Sequence, residues 1–127
     1  MNHNFRILIV DDQPSVLLTY TLILQQAGYA VTAASTCAAA LQHLGENEYD
    51  LLLCDLGLDD GRSGIEVIEF AQEHRPRMSS VLLTGYSTPE VVEEAKQRGI
   101  TLLFKPLQVR ELLRTLEALA MAAHGAA

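Results

Sequence analysis

Leu51-Leu52-Leu53-Cys54-Asp55 is an unbroken apolar run that ends abruptly in a carboxylate. A short apolar run bounded by polar residues reads as a strand buried on both faces, as at the centre of a parallel sheet. An acid at the carboxyl end of such a strand falls at the rim of the sheet, where open α/β folds place their ligand sites. Working outward, the same signature appears in Ile7-Leu8-Ile9-Val10 followed by Asp11-Asp12. It returns in Val81-Leu82-Leu83-Thr84 and in Leu102-Leu103-Phe104-Lys105. Four strands thus deliver three acids, a hydroxyl and an amine to one edge.

Helical segments fill the spaces between. Pro14 and Ser15 open the first, with Val16, Tyr20, Ile23, Leu24 and Ala27 expected inward and Gly28 closing it. Strands are expected over residues 5–10, 29–34, 50–55, 80–84 and 101–104. Ser35 or Thr36 can cap the second helix, whose Ala40, Leu41 and Leu44 face the core. Residues 57–64 form a loop by composition, and a third helix with Ile65, Ile68, Phe70 and Ala71 inward ends before Pro76. Thr88 caps a fourth helix that Gly99 stops, and a last helix carries Leu112, Leu113, Leu116, Leu119 and Ala120. Strands alternating with helices imply one doubly wound α/β domain, a parallel sheet for which 2-1-3-4-5 is a common order. The domain is expected over residues 5–121, with 122–127 a short tail of small residues.

Composition narrows the partners. The 127 residues suffice for one self-sufficient core. A net charge of −7 with dispersed Lys and Arg argues against direct nucleic-acid binding. Cys37 and Cys54 have no CxxC spacing, and a disulfide framework is not expected. No apolar run approaches the ~18 residues of a membrane span, and the start lacks a signal-peptide pattern. The expected setting is the cytoplasm. His3, His43, His74 and His124 show no metal-ligand spacing, and Arg75 and Arg77 are explained by dipole compensation at a helix end.

In the 2-1-3-4-5 order Asp11, Asp12 and Asp55 share a crevice. Three carboxylates this close cannot all stay ionised without a counter-charge. An all-oxygen cluster suits Mg²⁺ or Mn²⁺, which commonly complete their shell with phosphate oxygen. With Lys105 as a point charge and Thr84 as a hydroxyl donor, the set describes Asp55 attacking phosphorus while the others bear the developing charge. As an isolated pair, Asp11-Asp12 would simply cap a helix; the company of Asp55 and Lys105 favours the site. The dehalogenase type of hydrolase needs an acid two residues after its nucleophile, and Gln13 stands there instead. A flavin phosphate would require a Ser/Thr/Gly-rich loop after the first strand, and acids follow it here.

The ordered set Ile7–Asp12 with Pro14, Leu51–Asp55, Leu82-Leu83-Thr84-Gly85-Tyr86 and Phe104-Lys105-Pro106-Leu107 resembles the receiver domain of two-component response regulators. The resemblance implies the flavodoxin-like fold and a phosphoacceptor at Asp55, charged from a sensor histidine kinase or histidine phosphotransfer protein. It implies that Asp11, Asp12, Asp55 and the carbonyl of Gly57 hold Mg²⁺. Thr84 and Lys105 would contact the phosphoryl group, Pro106 would follow Lys105 in cis, Gly85 would leave room for the phosphodonor, and Gly57 and Tyr86 would tune hydrolysis. The protein would be a signalling acceptor that assists its own phosphorylation and dephosphorylation, not an enzyme acting on other molecules. By analogy, the surface of the fourth helix, fifth strand and fifth helix serves downstream proteins or a homodimer.

Two departures stand out. The aromatic residue many receivers carry three before the lysine is Leu102 here, and Asp59 occupies a position where proline is common, in a longer loop of residues 59–63. A phosphorylation-independent docking domain of the same fold is the alternative these departures allow.

Overall fold

The computed structural model describes residues 5–58, 63–85 and 88–125, with side chains as far as residue 122. Five strands, β1 (Arg6–Val10), β2 (Ala30–Ala34), β3 (Leu51–Asp55), β4 (Ser79–Thr84) and β5 (Thr101–Phe104), alternate with five helices. The helices are α1 (Pro14–Gln26), α2 (Cys37–Glu46), α3 (Gly64–His74), α4 (Pro89–Arg98) and α5 (Val109–Gly125). All strand pairs are parallel, in the order β2-β1-β3-β4-β5. The doubly wound parallel architecture is the one the strand signatures led to, and its order is that of the flavodoxin-like fold which the family resemblance implied.

Every residue of β3 is buried, because helices cover both faces of the sheet. Alternation along the strands divides the core in two. Leu8, Val10, Leu52, Cys54 and Leu82 pack with Cys37, Ala40 and Leu44 of α2, Val67, Ile68 and Ala71 of α3, and Ala95 of α4. Ile7, Ile9, Leu51, Leu53, Val81 and Leu83 pack with Leu24 of α1 and with Leu112, Leu116 and Ala120 of α5. Truncating a fully buried side chain such as Leu53 to alanine costs about 2–5 kcal/mol in a layer this closed.

Local chemistry sets the helix ends. Thr36 accepts from the Ala39 N–H at 3.0 Å, Thr88 from Val91 at 3.3 Å and Ser63 from Ile65 at 3.1 Å. Gly99, at φ 70°, closes α4 in the left-handed conformation.

Two expectations need correction. Ala27 is exposed, and α1 buries Leu24 with Leu17 and Tyr20 alongside; Val16 and Ile23 are only half-buried. The helix has no charged residue, so periodicity does not single out its inner face. Val67, not Ile65 or Phe70, is among the fully buried residues of α3. The last helix, α5, runs to Gly125.

Candidate functional site

Strands β1, β3, β4 and β5 all end at one edge, and register brings their last residues side by side. Val10 lies opposite Cys54, Asp55 opposite Leu83, and Thr84 opposite Phe104. Asp11 and Asp12 follow β1 directly. Carboxylate oxygens of Asp11, Asp12 and Asp55 lie within 4.8 Å of one another, the arrangement expected from sequence. Asp11 and Asp55 are buried and Asp12 is half-buried.

Lys105 reaches into this cluster from the end of β5. Its Nζ donates to Asp55 Oδ1 at 2.7 Å and to Asp11 Oδ2 at 3.3 Å. Its backbone N–H donates to the Thr84 carbonyl at 2.7 Å, which ties the lysine to the end of β4. The Lys105–Pro106 peptide bond is cis. Asp11 Oδ1 accepts from the Gln13 N–H at 2.9 Å, a turn just ahead of α1. It does not cap the helix: Gln13 is the N-cap of α1 and no side chain caps that end, so the site reading of Asp11 stands without the capping one.

Electrostatics follow from burial and crowding. Desolvation pushes the Asp55 carboxyl above the ordinary aspartate value; the hydrogen bond and charge of Lys105 pull it partly back, and the charges of Asp11 and Asp12 push it up again. Partial burial pulls the Lys105 ammonium down, but its hydrogen bond to Asp55 and the charges of Asp55 and Asp11 outweigh this and raise it. Both partners of one pair are raised because at Asp55 desolvation, with two like charges added, outweighs Lys105, whereas at Lys105 the combined pull of Asp55 and Asp11 outweighs desolvation. Burial likewise drives the Cys54 thiol far up, so it is an inert core residue.

The carboxylates fit a hard divalent cation: oxygen donors only, close enough to share one ion, and more negative charge than one ammonium balances. Gly57 stands just after β3, paired with Ser63 in a lone antiparallel bridge at the same edge. Thr84 is buried at the end of β4. The Asp59 and Tyr86 expectations lie outside the described residues.

Sequence reading missed two participants. Gly64, the first residue of α3, lies so close under Asp55 that a Cβ there would overlap the Asp55 carbonyl oxygen. Its N–H donates to Leu56 O at 2.7 Å, fixing the chain just beyond Asp55. Nothing in a glycine-rich loop marks which glycine makes such an approach. Tyr20 was read as a core residue. Burial raises its hydroxyl pKa, Lys105 lowers it, and Asp11 and Asp55 raise it, so it stands within electrostatic reach of the site.

A family model for the response regulator receiver domain matches residues 7–117. Among curated relatives, the alginate biosynthesis transcriptional regulatory protein AlgB of Pseudomonas aeruginosa is 33% identical over 90% of this chain and 28% of its own length. The transcriptional regulatory protein ZraR of Escherichia coli is 34% identical over 92% of this chain and 27% of its own. The chain thus spans little more than a quarter of these relatives. A CheY-like receiver domain protein from Methanospirillum hungatei superposes with a TM-score of 0.92 at 31% identity, covering 97% of this chain and 98% of that one. The response regulator TrrA of Thermotoga maritima, solved with Mg²⁺-BeF, gives 0.80 at 28% identity over 91% of this chain and 98% of its own. No helix among the described residues is long and apolar enough to cross a membrane.

Proposed function

The chain belongs to the response regulator receiver family, and we propose that it is an active phosphoacceptor within it, with Asp55 taking a phosphoryl group from a phosphohistidine on a sensor kinase or histidine phosphotransfer protein. The observation that carries this reading is Lys105 Nζ at 2.7 Å from Asp55 Oδ1, inside a trio of carboxylates within 4.8 Å. A bare docking domain has no need to hold a buried acid above its ordinary pKa beside an ammonium.

In the proposed reaction a carboxylate oxygen of Asp55 forms the O–P bond while the P–N bond to the donor imidazole breaks. Mg²⁺, or Mn²⁺, held by Asp11, Asp12, Asp55 and the Gly57 carbonyl, would neutralise phosphoryl oxygens as charge redistributes. Lys105 bears charge on another phosphoryl oxygen, and in doing so gives up its contact with Asp55. Thr84 hydrogen-bonds a third and reports the change at the β4 end. Gly85 leaves room for the donor. Water then releases phosphate from Asp55, assisted by the same residues.

Output is carried by α4, β5 and α5, where Val92, Phe104 and Val109 expose apolar surface to a downstream protein or a second copy. Neither nucleic acid nor membrane is a direct partner, and the setting is the cytoplasm. Leu102 favours a second reading, a docking domain that does not use phosphorylation, because it packs against the α2–α3–α4 core layer where many receivers carry an aromatic residue.

Phosphoramidate, whose P–N bond imitates phosphohistidine, separates the two readings. With Mg²⁺ it should leave one acyl phosphate on the protein, labile to hydroxylamine and mapped to Asp55. A protein that neither binds Mg²⁺ nor takes up phosphate would be the docking domain.

A further inference from the structure

At the opposite edge of the sheet, where the strands begin, a cleft of about 640 Å³ lies between the start of β1, the α2–β3 connection and the α3–β4 turn. Arg6, Arg75 and Arg77 all line it. That is three of the nine Lys and Arg residues of a chain with net charge −7. We propose that this cleft binds a small multivalent oxyanion, a phosphate or polycarboxylate group, independently of the phosphoacceptor site.

The three guanidinium groups remain charged at any physiological pH. None is in ion-pair contact with a carboxylate among the described residues. Asp50 lines the same cleft, but its Oδ2 is taken by the Arg6 backbone N–H at 2.7 Å; Glu48 lies exposed on the wall. Arginines outnumber these acids, and like charges gather in one cleft at a cost that an anion would offset.

Arg75 points the same way. Its Nε–H is shut off from solvent and has no acceptor. Its terminal nitrogens make only long contacts, 3.4 Å, to the carbonyls of His74 and Asn47. Its weakly engaged terminal N–H groups, held in a planar fork, suit a forked oxyanion. Dipole compensation at the end of α3 explains Arg75 and Arg77, but neither the arrival of Arg6 from β1 nor the unused N–H. The walls also limit the ligand. Tyr49 is buried beneath the Arg6 guanidinium, 5.2 Å from its ring centroid, and Met78 is buried. The Tyr49 face is thus covered by Arg6 and not open for a base to stack on, which favours a small anion over a nucleotide.

The test is an amide-resolved NMR titration of the whole chain without Mg²⁺, at constant ionic strength, with inorganic phosphate, pyrophosphate, citrate and a glutamate-rich peptide in turn. Saturable shifts at residues 48–50 and at 74, 75, 77 and 78 are expected. Arg75→Gln and Arg77→Gln should each weaken them by about tenfold, and Lys105→Gln should leave them unchanged. Phosphate or citrate, whichever saturates at the lower concentration, identifies the group. Because Arg77 is exposed, its variant folds even where the Arg75 variant does not. Shifts confined to Asp11, Asp55 and Lys105, or linear shifts that never saturate, would overturn the proposal. Saturation by a glutamate-rich peptide alone would also overturn it, and would make the cleft a protein-docking surface.

Discussion

Lys105 Nζ contacts Asp55 Oδ1 at 2.7 Å and Asp11 Oδ2 at 3.3 Å, so one ammonium joins the ends of β1, β3 and β5. It cannot balance three ionised carboxylates. The residual negative charge is what a divalent cation would balance, and the pull on Lys105 is what a phosphoryl group on Asp55 would redirect. The expected behaviour follows from this imbalance.

Asp55→Asn should stabilise the metal-free protein at neutral pH. The folded-state carboxyl is held above its unfolded value, so ionising it disfavours the native state. This group's contribution is greatest below the unfolded pKa of about 4 and is lost as pH rises through the raised folded value. The melting temperature of Asp55→Asn should exceed wild type by a few degrees at pH 7, on the order of 1 kcal/mol. The gap should close toward pH 3.5, as thermal melts across that range would register.

Chelation should cost the wild type more than the variants. A cation at 100 times its Kd stabilises by about 2.7 kcal/mol, a gain that EDTA removes. Asp12→Ala and Asp55→Asn should show much smaller shifts with Mg²⁺ in the same melts.

Lys105→Met should separate metal binding from chemistry. With the ammonium gone, the carboxylates are less neutralised and Mg²⁺ should bind more tightly by calorimetry. Phosphorylation from a small donor should nevertheless slow by about tenfold or more, since a charge facing the transferred oxygens is lost.

Gly64→Ala and Gly45→Ala should have opposite signs. A Cβ at Gly64 meets the Asp55 backbone and Cys54 Sγ, so overpacking should cost about 1–3 kcal/mol and displace Asp55. At Gly45, within α2, a Cβ meets nothing within 4 Å, and alanine should gain about 0.5–1 kcal/mol. Urea titration resolves both.

Much of this site was legible because strand ends need only parity and burial to be placed. The expected strand 50–55 matches β3 but for its first residue, and the strand order alone puts Asp11, Asp12 and Asp55 in one crevice. The caps at Thr88 and Gly99 were equally readable, as each depends on local chemistry. What escaped was tertiary. The inner face of α1 is hidden by apolar residues all round, with Leu18 and Leu22 exposed. Gly64 matters through one steric approach that no spacing encodes, and Tyr20 through proximity across the α1–β5 side of the site. Arg6, Arg75 and Arg77 converge from segments far apart in sequence.

The most direct measurement is intact mass after incubation with acetyl phosphate, with and without Mg²⁺, beside Asp55→Asn. One phosphoryl adduct on the wild type alone, and only with Mg²⁺, is the predicted result. An adduct that survives in Asp55→Asn, or none on a wild type that demonstrably binds Mg²⁺ and fails to take up beryllofluoride, would contradict it.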